Sequence, residues 1–290
     1  MKPEAPGERL TKVRFTNLDR MMYPGIPASK KDVIGYYIRI APLILPFLKD
    51  RLLTLKRFPS GINGESFYEK DAPAVRPDFV RVFTRHSETA GRDVHFIVCN
   101  NLDTLLWVAN LAALELHVTL STAQSYDSPD LLLFDIDPEP PLTFADVCSV
   151  ALVVKDHLAG AGVRPYVKTS GKKGLHIVVP LLPGLRFSEV RDFCHAAGKE
   201  IAGKVPFVVS EFAHSQDPGT VFIDYLQNAH GKTMAAPYSL RATPGATVSA
   251  PLEWSEVERM VRPEDFNIGT MLTRNREPWR GIFEDRQKIT

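Results

Sequence analysis

The run Leu131-Leu132-Leu133-Phe134-Asp135-Ile136-Asp137-Pro138 constrains this chain more than any other segment. It reads as a strand buried on both faces until its carboxylates appear. Alternation places Asp135 and Asp137 on one face and Ile136 on the other. Two carboxylates side by side repel, and burying them is costly unless a cation compensates. Hard oxygen donors suit Mg²⁺ or Mn²⁺, and paired ions of this kind align a nucleophile and a leaving group in phosphoryl transfer. The competing reading is a solvated strand end before a Pro-rich turn. A D-x-D pair by itself occurs in glycosyltransferases, nucleases and polymerases alike. A second acidic strand, Val221-Phe222-Ile223-Asp224, delivers one more carboxylate at an apolar strand end. If the two strands are neighbours, three aspartates converge on one edge, enough for two ions. The sequence does not fix that adjacency, and a turn-forming Asp224 is the alternative.

Around these strands the pattern is that of an α/β (α+β) chain. Thr11–Asn17 reads as a short strand, and Ser29 with Asp32 forms a capping box for a helix through Val33, Tyr36, Tyr37 and Ile40, with Pro42 and Pro46 expected to kink or end it. Leu52–Phe58, Val94–Cys99 and Leu116–Leu120 are strand-like, Leu102–Leu114 is helical, and residues 59–92 read as loops with short strands. Thr143 with Asp146 opens another helix, Val163–Thr169 and Leu175–Pro180 form a hairpin, and a helix runs from Ser188 to about Lys204. Val208–Phe212 and Thr220–Leu226 are further strands, and a last helix is capped by Ser255 and Glu258.

Charge is uneven along the 290 residues. The net charge is +1, yet residues 1–60 hold 12 Lys/Arg against 5 Asp/Glu, while 101–154 contain eight carboxylates and no Lys or Arg. A basic amino-terminal part beside an acidic middle suggests an anion-binding surface next to a cation site. Cys99, Cys148 and Cys194 have no paired spacing, so neither a disulfide framework nor a zinc site is expected. The start MKPEAPGERL lacks an apolar h-region, and no stretch approaches about 18 apolar residues. No membrane association is expected, and a cytoplasmic location fits best.

Thr169-Ser170-Gly171-Lys172-Lys173-Gly174-Leu175-His176 packs a hydroxyl, two lysines, a histidine and two glycines into eight residues. Glycines let backbone N–H groups approach an oxyanion, and the lysines add charge. The spacing is not that of a P-loop, so a Walker-type ATPase is not supported; an ordinary basic hairpin is the alternative. A triphosphate bridged to the carboxylates through metal ions unites the pieces and points to nucleotidyl transfer. Gln227 and Arg241 are candidates for further donors.

These segments, in their order and spacing, resemble the polymerase domain of bacterial and archaeal DNA ligase D, within the archaeo-eukaryotic primase superfamily. The resemblance also rests on Thr16-Asn17-Leu18-Asp19-Arg20 with Tyr23-Pro24, Ser29-Lys30-Lys31-Asp32, Leu55-Lys56-Arg57-Phe58-Pro59-Ser60-Gly61, Phe67-Tyr68-Glu69-Lys70, Ala113-Leu114-Glu115-Leu116-His117 and Ala236-Pro237-Tyr238-Ser239-Leu240-Arg241. It implies one catalytic domain over 1–290: a mixed sheet flanked by helices, with an amino-terminal α/β extension. A basic part over about 11–60 would bind a DNA 5′-phosphate, and the core would span about 94–245.

By position, Asp135, Asp137 and Asp224 resemble the catalytic metal-binding triad, for two Mn²⁺ or Mg²⁺ ions. Ser170, Lys173 and His176 resemble the triphosphate-binding set, with Lys56, His117, Gln227 and Arg241 as further nucleotide contacts. Phe67 and Tyr68 match an aromatic pair that stacks on base or template. Asn17, Arg20 and Lys30 fall where the family grips the 5′-phosphate; Arg20 replaces a lysine, and arginine can bind phosphate bidentately. Arg85, His86 and Arg92, in a loop over Thr84–Asp93, would reach a template or a second DNA end.

The implied activity is template-directed gap filling by NTP or dNTP insertion, with ribonucleotides preferred, at DNA with gaps or 3′ overhangs and a 5′-phosphate in non-homologous end joining. A Ku-type end-binding protein and a DNA ligase are the implied partners, and the location would be the nucleoid. No K-x-D-G ligase signature occurs. The alternatives are a de novo primase, a catalytically lapsed DNA-end-binding module and a metal-dependent nuclease.

Overall fold

The computed structural model describes residues 11–88 and 91–289. The polar tail over residues 1–10 lies outside the described residues. The chain runs through β1 (Met21–Tyr23), β2 (Ala28–Ser29), α1 (Lys30–Leu48), β3 (Leu53–Arg57), β4 (Phe67–Glu69), β5 (Arg81–Ser87) and β6 (Arg92–Val98). It continues through α2 (Leu102–Asn110), β7 (Ala113–Thr119), β8 (Leu131–Pro138), α3 (Phe144–Gly160), β9 (Tyr166–Thr169) and β10 (Leu175–Pro180). The remainder comprises α4 (Phe187–Ala202), β11 (Val208–Val209), β12 (Val221–Asp224), β13 (Thr233–Ala235), β14 (Pro251–Leu252) and α5 (Trp254–Glu258).

Two sheets organise the molecule. The first has the order β11-β12-β8-β10-β9-β14, and the second β13-β7-β3-β4. The apolar run of β8 sits inside the first sheet, where α3 and α4 pack against it. That cover explains why Leu132, Phe134 and Ile136 are as buried as Leu131 and Leu133 on the opposite face. β5 and β6 form a separate antiparallel hairpin.

The first sheet's β14 lies beyond residue 245, and β3 from the basic part pairs with β7.

α1 begins at the expected capping box: Ser29 Oγ accepts from the Asp32 N–H at 3.4 Å and Asp32 Oδ2 accepts from the Ser29 N–H at 2.8 Å. Its apolar face buries Val33, Tyr36, Tyr37, Ile40, Ile44, Phe47 and Leu48, the spacing of a helix stripe. Buried tyrosine hydroxyls need partners, and each finds a carbonyl. Tyr36 donates to Tyr238 O (2.8 Å), Tyr37 to Leu114 O (2.9 Å) and Tyr23 to Arg241 O (3.1 Å). α1 and the preceding turn thus anchor the backbone that carries Arg241 and the strand that carries His117.

Several expectations change. Thr11–Asn17 is not a strand, because side chains of α2 and its first turn take its backbone groups. The Lys12 N–H donates to Asp103 Oδ1 (2.9 Å), the Thr16 N–H to Asn110 Oδ1 (3.1 Å), and Arg14 O accepts from Asn110 Nδ2 (3.2 Å). Pro42 and Pro46 lie inside α1 and do not end it. Their cost, about 3 kcal/mol or more each in an unsupported helix, is offset here by the buried stripe.

The expected helix over Leu102–Leu114 stops at Asn110, where Ala112 turns at φ 61° and β7 begins. Arg85, His86 and Arg92 lie on the hairpin strands β5 and β6, not in a loop. α5 is capped by Glu253 with Glu256 and not by Ser255 with Glu258.

Candidate active site

Strand register supplies the adjacency that the sequence leaves open. Asp135 on β8 lies opposite Asp224 on β12 and opposite His176 on β10, and His176 in turn lies opposite Lys168 on β9. Directly opposed residues share a sheet face. Asp224, Asp135, His176 and Lys168 therefore form a row across four strands, and Asp137 stands two residues along on the same face. His176 Nε2 is 3.3 Å from Asp135 Oδ1.

Beyond Asp224 the chain turns, and buried Asn228 takes over the pairing. Its Oδ1 accepts from the Leu133 N–H (2.9 Å) and its Nδ2 donates to Leu133 O (2.6 Å). Asp224 itself accepts from the Leu226 N–H (2.9 Å) and from Gln227 Nε2 (3.0 Å).

The row is electrostatically costly. Burial, then Asp137 and Asp224, push the Asp135 carboxyl well above its ordinary value. Asp137 is raised as well, by burial first, with Lys173 and Arg241 working the other way. Burial drives Lys168 and His176 well below their ordinary values, helped for both by the charge of Arg241.

Among the described residues no three His, Cys, Asp or Glu side chains are gathered tightly enough to enclose an ion as they stand. The donor set still fits a divalent cation: three carboxylates on one sheet face that repel one another until positive charge arrives. The three cysteines are buried thiols: burial pushes Cys99 up to about 12 and Cys148 to about 11, and Cys194, whose Sγ donates to Leu133 O on β8 (3.6 Å), is raised by burial and then by Asp224 and Asp135.

The glycine-containing turn closes the cleft on one side. Ser170 Oγ accepts from the Gly174 N–H (3.2 Å) and the Lys172 N–H (3.3 Å), and the Ser170 N–H donates to Gly174 O (2.9 Å). Gly174 has no room for a side chain, since a Cβ would strike the Ile136 carbonyl and the Asp137 carboxylate. Lys173 Nζ donates to Glu139 Oε1 (2.9 Å) and Pro138 O (3.1 Å). Arg241, nearly buried, donates through Nη1 to Ser170 O.

Opposite this turn stands the second sheet. His117 on β7 donates from Nε2 to Glu115 Oε2 at 3.1 Å. The cleft enclosed between the sheets measures about 180 Å³ and is lined by Asp135, Asp137, Ser170, Lys172, Lys173, His176, His117, Gln227 and Arg241.

A broader groove of about 1020 Å³ adjoins it, sharing Thr233. Phe67, Tyr68, Arg85, His86, Arg92, Tyr126 and His230 line this groove. Phe67 and Tyr68 are 43% and 60% exposed, which removes core packing as their explanation. They leave β4 on opposite sides: Tyr68 meets Lys56 and His117, and Phe67 meets Arg57. Lys56 lies over the Tyr68 ring and opposite Glu115.

Asn17, Arg20 and Lys30 also come together, away from the carboxylates. The Arg20 N–H donates to Asn17 O (3.1 Å), the Lys30 N–H to Arg20 O (2.8 Å) and Lys30 Nζ to Thr16 O (2.8 Å). Arg20 also donates to Pro59 O. Asn17 holds a left-handed backbone at φ 52°.

A family model described as the LigD primase-polymerase domain matches residues 29–279. The chain belongs to the LigD primase-polymerase family. Among curated relatives, the bifunctional non-homologous end joining protein LigD of Bacillus subtilis is 36% identical over 265 residues, which is 91% of this chain and 42% of that protein. The multifunctional non-homologous end joining protein LigD of Pseudomonas aeruginosa is 30% identical over 290 residues, 96% of this chain and 34% of that one. The chain thus spans less than half the length of these relatives. The polymerase domain from Mycobacterium tuberculosis ligase D, solved in complex with DNA, superposes with a TM-score of 0.86 at 28% identity over 95% of this chain and 99% of that domain.

A LigD primase-polymerase domain is a nucleotidyltransferase of the polymerase class, and its fold is the mixed α/β one expected. Sequence reasoning passed over Glu115 and Lys168 as site residues and took Lys172 only as one of the two lysines that charge the turn. A signal existed for Glu115, because a strand residue two before His117 shares its face. For Lys168, in a short strand of ordinary composition, only the pairing with His176 reveals the location.

Proposed function

We propose that this chain is a template-directed polymerase that fills short gaps at DNA double-strand breaks in non-homologous end joining, inserting ribonucleotides in preference to deoxyribonucleotides. The observation that carries the proposal is the register that brings Asp135, Asp137 and Asp224 to one edge, beside a turn rich in cationic and backbone donors. The named activities of the LigD relatives and the DNA complex of the M. tuberculosis domain support it. No helix among the described residues is long and apolar enough to cross a membrane; the proposed location is the nucleoid. A Ku-type end-binding protein and a DNA ligase are the proposed partners.

In this reading Asp135, Asp137 and Asp224 hold two Mn²⁺ or Mg²⁺ ions. When bound, such ions acidify the primer 3′-hydroxyl and neutralise the charge that develops on the phosphates. The chain's own residues do the rest. Ser170 shapes the turn by accepting two N–H groups, and its own O–H remains able to donate to a phosphate oxygen. Lys173, Arg241, Lys56 and Gln227 supply further donors to the triphosphate, with His117 also contacting the nucleotide. His176 lines the cleft with the triphosphate set, its Nε2 3.3 Å from Asp135 Oδ1. Tyr68 and Phe67 offer rings to bases without reading their identity. Lys30, Arg20 and Asn17 receive the 5′-phosphate of the downstream strand, and phosphate contacts of this kind dominate non-specific affinity.

The test is primer extension on a gapped duplex with Mn²⁺, comparing rNTPs with dNTPs and a downstream 5′-phosphate with a 5′-hydroxyl. Ribonucleotide insertion should improve with the phosphate and disappear in Asp137→Ala. Extension indifferent to the phosphate would turn the reading toward a primase that starts chains de novo. DNA binding without incorporation would leave an end-binding module.

A further inference from the structure

Glu115 lies fully buried in β7, between the second sheet and the glycine-containing turn of the first. Four groups converge on its carboxylate. Oε2 accepts from His117 Nε2 at 3.1 Å and lies 3.4 Å from Arg241 Nε, while Oε1 accepts from the Ala242 N–H at 3.1 Å and lies 3.6 Å from Lys172 Nζ. Lys56 faces it across β3. One carboxylate therefore fixes Arg241 twice, by its guanidinium and by the next peptide unit, and ties the turn bearing Lys172 to the strand bearing His117.

We propose that Glu115 is the positioning residue of the triphosphate subsite: it touches no nucleotide and holds Lys172, Arg241 and His117 where a nucleoside triphosphate meets them. The inference rests on the polymerase reading above. A pair made only for stability would match charges and saturate its donors. Here a single carboxylate serves several cations, and its contacts to Lys172 and Arg241 are ion contacts without hydrogen-bond alignment. Arg241 Nε, although buried, makes no hydrogen bond among the described residues. Cations crowded in this way repel one another when no anion is present, and a buried carboxylate lets them be held ready. The Lys172 side chain, 43% exposed, keeps its remaining donors open to phosphate oxygens.

The shifts agree. Burial alone would raise the Glu115 carboxyl, but the His117 hydrogen bond, Arg241 and Lys172 outweigh it and hold it well below the usual range.

Steady-state extension on the gapped duplex, with the rNTP varied, decides the matter for the wild type, Glu115→Gln, Glu115→Asp, Lys172→Ala and the Glu115→Gln/Lys172→Ala double variant. Glu115→Gln should raise KM for the rNTP by about tenfold or more with kcat within about threefold and DNA affinity unchanged, and Glu115→Asp should recover part of the loss. Lys172→Ala should raise KM in the wild type yet add less than about twofold in the Glu115→Gln background, because a cation no longer held has little left to lose. An unshifted KM, or fully additive effects, overturns the proposal. Loss of cooperative melting in both Glu115 variants also overturns it, making the residue a folding determinant. An inactive wild type would remove the polymerase reading and this inference together; an active wild type with unshifted variants would remove only this one.

Discussion

Lys30 occupies the first turn of α1 with its ammonium on the Thr16 carbonyl, and burial, helped by Arg20 and Arg57, lowers its pKa from 10.5 to about 8. The unfolded chain keeps the proton up to the higher value. Between the two, the unfolded state binds more protons than the folded one, so the Lys30 contribution to stability rises with pH across that window. If Lys30 receives the 5′-phosphate as proposed, phosphate recognition would run in the opposite direction, because the charge that attracts the phosphate is lost as pH rises through about 8. The preference for a 5′-phosphate over a 5′-hydroxyl should be largest near neutral pH and fall severalfold by about pH 9. Paired dissociation constants for the two gapped duplexes measure it. Lys30→Gln should flatten the pH dependence, and a wild-type ratio that does not change with pH would remove Lys30 from the phosphate site.

At the scale of elements, the hairpin of β9 and β10 presses its turn against the end of β8. Gly174→Ala would drive a methyl group into the Ile136 carbonyl and the Asp137 carboxylate. The backbone cannot yield there without moving the turn, so extension activity should fall by about tenfold or more, while Gly160→Ala, in open space at the end of α3, should leave it unchanged. Equal activity in the two variants would show that the turn need not hold its place.

β8 was legible in the sequence because an apolar run interrupted only by aspartates has few other solutions. The capping boxes of α1 and α3 were legible because both partners lie three residues apart. What escaped was set by distant residues. Pro42 and Pro46 stay helical because of a stripe packed on the core, and Thr11–Asn17 gives its hydrogen bonds to Asp103 and Asn110. β5 was hidden by its mixed polarity, which suits a hairpin exposed along a groove. The adjacency of β8 and β12, and with it the convergence of the aspartates, is a long-range pairing that no local pattern encodes.

On the scale of the whole molecule, the two sheets must keep their spacing for the cleft to exist. Arg51, at the end of the turn after α1, makes a two-pronged contact with Asp130 at the start of β8, both bonds at 2.8 Å, and also donates to Thr119 O (3.2 Å) at the end of β7. The two side chains are 2% and 8% exposed; Asp130 also lies 3.8 Å from Arg286, but Arg51 has no second carboxylate among the described residues, so losing Asp130 strands its charge in the interior. Asp130→Ala should cost about 3–5 kcal/mol in denaturant unfolding. A loss below about 1 kcal/mol would show that water reaches this pair and that the sheets are joined elsewhere.

In the proposed polymerase, the edge bearing Asp135, Asp137 and Asp224 binds the ions and the turn from Ser170 to Gly174 binds the phosphates. Anomalous diffraction from crystals grown with Mn²⁺, a gapped duplex and a non-hydrolysable ribonucleoside triphosphate tests it directly. Manganese peaks should lie against these three carboxylates, with the phosphates along the turn and Arg241. Manganese or triphosphate bound elsewhere on an otherwise intact complex would contradict it.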